Sequence, residues 1–136
     1  MACMLIAQET PATLEPEDAA YMAAHLCRPG SEMRDELQAA ATETPMAVAY
    51  QSQPISWVAS HFWQGMQTIE AFTSQEWRRR GLCRIGVLTL MAAGYLDRDR
   101  PVAVFSLECY RLAQSLGFRA PRLYRRQAGG WQRVTV

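Results

Sequence analysis

The stretch FTSQEWRRRGLCRIGVLTLMAAGYL, residues 72–96, runs from an apolar segment through three arginines to one glycine and then into a long apolar run. The segment that leads into it, MQTIEAFTS (66–74), reads as a strand. The residues after Gly81 are apolar nearly all round, which predicts a helix buried on most sides. A polar break at residues 97–100 follows, and PVAVFSL (101–107) reads as a buried strand. Strand, helix and strand at this spacing make a βαβ crossover, so the two strands are expected to be parallel. The arginines then fall on the loop that brings a helix N-terminus to the carboxyl edge of the sheet, where open α/β sheets bind ligands.

Upstream, MLIAQ (4–8) is a candidate first strand. EPEDAAYMAAHLC (15–27) predicts a helix, with Pro16 at its first position, Glu17 and Asp18 near the positive end of its dipole, and Pro29 and Gly30 ending it. SEMRDELQAAA (31–41) predicts a second helix with Ser31 as cap. PMAVAYQ, ISWVASHFW and MQTIEAFTS then form an antiparallel meander, with Gln53 and Pro54 between the first two strands and Gln64 and Gly65 between the last two. A two-residue turn at Gln64 and Gly65 sets the register: Trp63 opposite Met66, His61 opposite Thr68, Ala59 opposite Glu70, Trp57 opposite Phe72. These eight share one face; Val58, Ser60, Phe62, Ile69 and Ala71 share the other. Downstream, ECYRLAQSLGF (108–118) predicts a helix closed by Gly117, and RLYRR and WQRVTV supply final strands around Gly129 and Gly130.

The 136 residues predict one domain spanning 1–136. No apolar run reaches the roughly 20 residues a bilayer requires, and there is no basic start with a long apolar run of the signal-peptide kind, so a soluble cytoplasmic protein is expected. Cys3, Cys27, Cys83 and Cys109 are scattered, and His25 and His61 are the only histidines. No zinc-ligand spacing results, no metal site is expected, and the thiols are read as reduced and mostly buried. The net charge of +1 conceals a division: residues 1–76 hold two arginines against ten acids, residues 77–136 twelve arginines against three acids. The second half is expected to attract anions, a phosphorylated cofactor or nucleic acid. Two clusters of arginine without a recognition helix or RNA-module signature make nucleic acid the weaker choice.

At the arginine loop, the first amides of the following helix lack intrahelical partners and form an anion site. Gly81 lets backbone approach a phosphate, and Arg78, Arg79, Arg80 and Arg84 add planar donors. The pattern is a pyrophosphate cradle, without the spacing of a Walker loop or the G-x-G-x-x-G of a dinucleotide fold.

RRRGLC, residues 78–83, resembles the R/Q-x-x-G-x-G/A motif of the GNAT superfamily, the acyl-CoA-dependent N-acyltransferases. Arg78 and Gly81 match, and Cys83 stands where Gly or Ala is usual. SLECYRLAQSLGF, residues 106–118, resembles the family's N-x-x-A-x-x-L-Y-x-x-L-G-F: Leu112, Leu116, Gly117 and Phe118 match, while Ser106 replaces Asn, Cys109 replaces Ala, and Ala113 replaces Tyr. The order of elements agrees over essentially the whole chain. The resemblance implies an α+β fold: a central mixed, mostly antiparallel sheet with a βαβ crossover, flanked by helices.

It implies acetyl-CoA or another acyl-CoA as co-substrate, a primary amine as acceptor, and a homodimer as a common state. The loop amides of Arg78, Arg79, Arg80, Gly81, Leu82, Cys83 and Arg84 would hold the pyrophosphate. Phe72 and Thr73 stand where the family's strand amide polarises the acyl carbonyl, and Ser106 where Asn reaches the pantetheine arm. With Ala113 unable to donate a proton, Tyr110, one helical turn earlier, and Cys109 are candidates to protonate the departing thiolate. Glu70, through a water, and His61 are candidate bases on the hairpin face. Trp57, Trp63 and Tyr50 are candidates to line a substrate pocket. The alternative is a GNAT-like domain that binds acyl-CoA or a protein without turnover.

Overall fold

The computed structural model describes residues 4–136; Cys3 lies outside the described residues. The strands are β1 (Leu5–Glu9), β2 (Met46–Gln51), β3 (Gln53–Ala59), β4 (Phe62–Trp63), β5 (Met66–Thr73), β6 (Val102–Val104), β7 (Pro121–Gln127) and β8 (Gly130–Val134). The helices are α1 (Pro16–His25), α2 (Glu32–Ala39), α3 (Leu82–Ala92) and α4 (Leu107–Ser115). One sheet runs in the order β1-β2-β3-β5-β6-β7-β8, with β4 paired to β5. Pairing is antiparallel from β1 to β5 and between β7 and β8, and parallel across β5, β6 and β7.

The hairpin register is the one the turn dictates. Gln64 and Gly65 both have positive φ, 51° and 75°, as a primed two-residue turn requires. Trp63 faces Met66, Ala59 faces Glu70 and Trp57 faces Phe72. The Thr68 N–H donates to the His61 carbonyl across a break at Ser60 and His61 that divides the expected strand into β3 and β4. The turn between β2 and β3 falls earlier than expected. Ser52, at φ 69°, makes it, and Pro54 lies inside β3 opposite Tyr50, where a register shift relieves the ladder of the proton Pro cannot donate.

Each face of the sheet carries a helix pair. α1 and α2 bury Met22, Leu26, Met33 and Leu37 against Met46, Val48, Trp57 and Ala59. The Trp57 indole N–H donates to the Leu26 carbonyl at 2.6 Å, which pins the end of α1 to β3. On the other face α3 and α4 bury Val87, Leu90, Ala113 and Leu116 against Val58, Ile69, Val102 and Val104. α3 lies close on the sheet because Gly86 has no Cβ: one built there would come within 2.5 Å of Val58 Cγ2. The expectation of a helix buried on most sides does not hold. α3 buries one stripe, and Ile85 and Leu88 remain 43% and 44% exposed, because only the sheet covers it. Among the described residues, no helix is long and apolar enough to cross a membrane.

The crossover β5–α3–β6 forms as predicted, and a second one, β6–α4–β7, follows it directly. β6 is only three residues long. Its pairing with β5 covers Gln67 to Ile69, and beyond Ile69 and Val104 the ladder between them ends. That divergence makes the site.

Candidate active site

A cleft opens where β5 and β6 part, and it has two lobes that share Arg28, Ala71, Phe72, Ser106 and Cys109. The larger, about 890 Å³, lies over the start of α3; the smaller, about 330 Å³, lies toward His61 and Glu70.

The larger lobe is floored by the loop of arginines. Gly81 caps α3 with φ 77° and ψ 14°, a left-handed conformation that a side chain disfavours. A Cβ built there meets nothing within 4 Å, so the backbone borders open space. The first amides of α3 emerge at this point, and Arg78, Arg79, Gly81, Leu82, Cys83 and Arg84 line the lobe. The arginines divide their tasks. Arg78 Nε donates to the Thr73 carbonyl at 3.1 Å, with the guanidinium 5.8 Å from the Phe72 ring centroid, so it ties the loop to β5. Arg84 donates to Ser115 Oγ at 3.2 Å. The Arg80 guanidinium stacks on Trp77 at 4.8 Å, and Trp77 itself lines this lobe. Cys83 fits the start of the helix, its Sγ 3.3 Å from Thr73 Oγ1, which also lies 2.8 Å from Ser56 Oγ.

The splay decides which amides face the cleft. The Thr68 N–H donates to the His61 carbonyl and the Ser74 N–H to the Ile55 carbonyl, with an unshifted ladder between them. Even-numbered amides of β5 therefore point toward β3, and those of Ala71 and Thr73 point into the gap left by β6. The Thr73 carbonyl, on the same edge, is the one Arg78 reaches. The amide expected from Phe72 is engaged within the sheet; Phe72 contributes its ring to the cleft, and Ala71 is the residue the sequence reading missed. Opposite them, Ser106 Oγ accepts from the Cys109 N–H at 3.1 Å as the cap of α4 and lines both lobes.

Cys109 reaches the cleft and Tyr110 does not. Tyr110 packs against the core under α4, and Ala113 is wholly buried there. Burial pushes the Cys109 thiol up to about 11, against help from the Ser106 hydroxyl, so it is neutral at physiological pH. Cys27, Cys83 and Cys109 are free and half-buried rather than buried.

In the smaller lobe His61 sits between two carboxylates. Its Nε2 is 2.7 Å from Glu36 Oε2, and its Nδ1 is 3.3 Å from Glu70 Oε1, an ion-pair contact without hydrogen-bond alignment. Burial disfavours the charged ring, but Glu70 and Glu36 outweigh it and raise its pKa to about 9. Glu36 is held below the ordinary carboxylate value: burial opposes its charge, and the Thr44 hydroxyl at 2.6 Å and His61 overcome that penalty. The two carboxylates thus favour the protonated ring, the form that cannot itself accept a proton. Glu36 comes from α2, 25 residues away, and had no local signal. Trp57, Trp63 and Phe72 line this lobe with Phe105 and Trp131; Tyr50 instead packs beneath α1. Among the described residues, no group of three or more His, Cys, Asp or Glu is placed to hold a metal ion.

This architecture matches solved acetyltransferases. An aminoglycoside N-acetyltransferase, AAC(6')-Iy, in complex with CoA superimposes with a TM-score of 0.58 at 18% identity, over 88% of this chain and 90% of that one. The chain has the GNAT fold. A ribosomal-protein-alanine N-acetyltransferase from Brucella melitensis biovar Abortus 2308 shares the fold with a TM-score of 0.53 at 10% identity, over 98% of both chains. A larger Pyrococcus horikoshii protein matches with a TM-score of 0.56 at 15% identity over 83% of this chain, which spans 42% of that protein's length. No protein-family model matches the sequence, and no curated protein matches it significantly. Within the GNAT fold, the diverging strands here are β5 and β6 because the broken hairpin strand counts twice.

Proposed function

We propose that the protein is an N-acyltransferase that moves an acyl group, acetyl in the simplest case, from an acyl-CoA to a primary amine. The observation that carries this reading is the continuity of the cleft: one end has an anion-binding helix start, the middle has unpaired strand edge, and the other end has a carboxylate. Each part meets one demand of the chemistry. The diphosphate fits the α3 amides, with Arg79 adding charge. The thioester carbonyl gains negative charge as the amine attacks, and the Ala71 and Thr73 edge supplies dipoles aimed into the gap.

The attacking amine must lose a proton before or as its nitrogen bonds to the carbonyl carbon. Glu70, through a water, takes that proton. His61, charged and fixed by Glu36, holds the carboxylate in place. The carbon–sulfur bond then breaks and the CoA thiolate leaves. Cys109 is a poor proton source for it, since a thiol at about 11 stays protonated against an ordinary thiolate near 8.5. Solvent entering through the open larger lobe supplies that proton.

The second reading, a domain that binds acyl-CoA without turnover, draws on the lack of a phenol from α4 in the cleft lining: Ala113 is buried in the core, and half-buried Tyr110 packs against that core and lines neither lobe. Free thiol released from acetyl-CoA in the presence of a panel of primary amines separates the two. Amine-dependent release supports the enzyme. CoA binding with release no faster than in buffer supports the binding domain.

A further inference from the structure

We infer that the acceptor is a primary amine carrying a single positive charge on an aromatic body. This narrows the acyltransferase reading above and rests on it. The observation is the wall of the smaller lobe. α1 and α2 cover the β1–β3 half of their face of the sheet, and beyond them the face is covered by aromatic rings instead. Trp63 meets Phe105 edge-on, with centroids 5.5 Å apart and planes at 85°. Phe105 meets Trp131 at 4.9 Å and 60°. Tyr124 packs edge-on against Trp63 at 4.8 Å and closes the cluster from behind. These contacts hold the rings in place before any ligand arrives, and they offer flat apolar faces to a planar ligand.

The charges around the lobe hold no surplus of carboxylates for a polycation. Arg28 and Arg126 stand at its edge, with Arg126 5.7 Å over the Trp131 ring, and His61 adds a third positive group at neutral pH. Glu32 and Glu70 oppose them in the lining, and Glu36 pairs with His61 at 2.7 Å, so the cations and carboxylates balance. A ligand with several ammonium groups needs a surplus of carboxylates, and here each carboxylate is already matched by a cation. One ammonium beside Glu70, with an aromatic ring on the Trp63–Phe105–Trp131 wall, satisfies both the charge and the shape.

The test compares thiol release from acetyl-CoA with 2-phenylethylamine, tryptamine, butylamine, spermidine and kanamycin. The aromatic amines are expected to exceed the others in kcat/KM by at least about tenfold. Trp131→Ala, at a residue 38% exposed and so tolerant of truncation, is expected to remove most of that advantage while leaving the melting shift caused by CoA intact. Faster turnover of spermidine or kanamycin overturns the inference. If CoA raises the melting temperature but no amine turns over, calorimetry of 2-phenylethylamine with the CoA-saturated protein decides. Saturable binding weakened by Trp131→Ala supports the aromatic acceptor site, and no binding overturns it. Absence of any CoA effect removes the underlying reading, a failure distinct from the others.

Discussion

His61 Nε2 lies 2.7 Å from Glu36 Oε2, so the hairpin that carries the cleft is locked to α2 by an ion pair. The pair ties stability to pH. The folded pKa of His61, about 9, exceeds its ordinary 6.5, so the native state holds this proton more tightly than the unfolded chain. The stabilisation is complete below about 6.5 and is lost as pH rises through 9. For Glu36, lowered in the fold, the sign is opposite, and its contribution disappears as pH falls through its folded pKa. Melting temperature is expected to decline from pH 6.5 to 9 in the wild type, and that decline is expected to flatten in His61→Gln. An unchanged slope in the variant would place the proton elsewhere.

In the proposed mechanism Glu70 takes the proton from the amine. Glu70→Gln keeps shape and removes basicity, and it is expected to lower kcat by about 10²–10⁴-fold. The CoA affinity should stay at the wild-type value, because the larger lobe does not include Glu70. Steady-state kinetics beside a CoA titration checks both halves of the expectation.

Tyr110→Phe removes only a hydroxyl from a side chain packed under α4. Its kcat is expected to stay within about twofold of wild type, the small effect usual away from a special feature. A loss of a hundredfold or more would restore Tyr110 as the acid for the thiolate.

Gly86→Ala sets a methyl against Val58 at the contact of α3 with the sheet. Denaturant unfolding is expected to show a loss of about 1–3 kcal/mol, the usual cost of overpacking a core. Stability equal to wild type would mean that α3 is free to ride outward.

The sequence made the hairpin and the first crossover readable because both are local. The Gln64–Gly65 turn sets a phase that carries from Trp63 to Ser56, and apolar residues after an arginine loop announce a buried helix face. The state of His61 was not legible, since it depends on Glu36 from a helix distant in sequence. The choice between Phe72 and Ala71 needed the ladder phase together with the point where β6 leaves β5. Arg80 looked like its neighbours in a run of three, and only the fold turns it onto Trp77. Ser106 matched a pantetheine-contact position, and its second task as the cap of α4 appears only in the hydrogen bond to Cys109.

The proposed chemistry first requires that the α3 start at Gly81 hold the diphosphate of coenzyme A. Isothermal titration of the protein with CoA tests it most directly, beside the Gly81→Asp variant, which places a carboxylate and a disfavoured backbone at the cradle. Saturable heat with one site per chain in the wild type, abolished in the variant, is the predicted result. No heat up to millimolar CoA, or equal affinity in the two proteins, would contradict it.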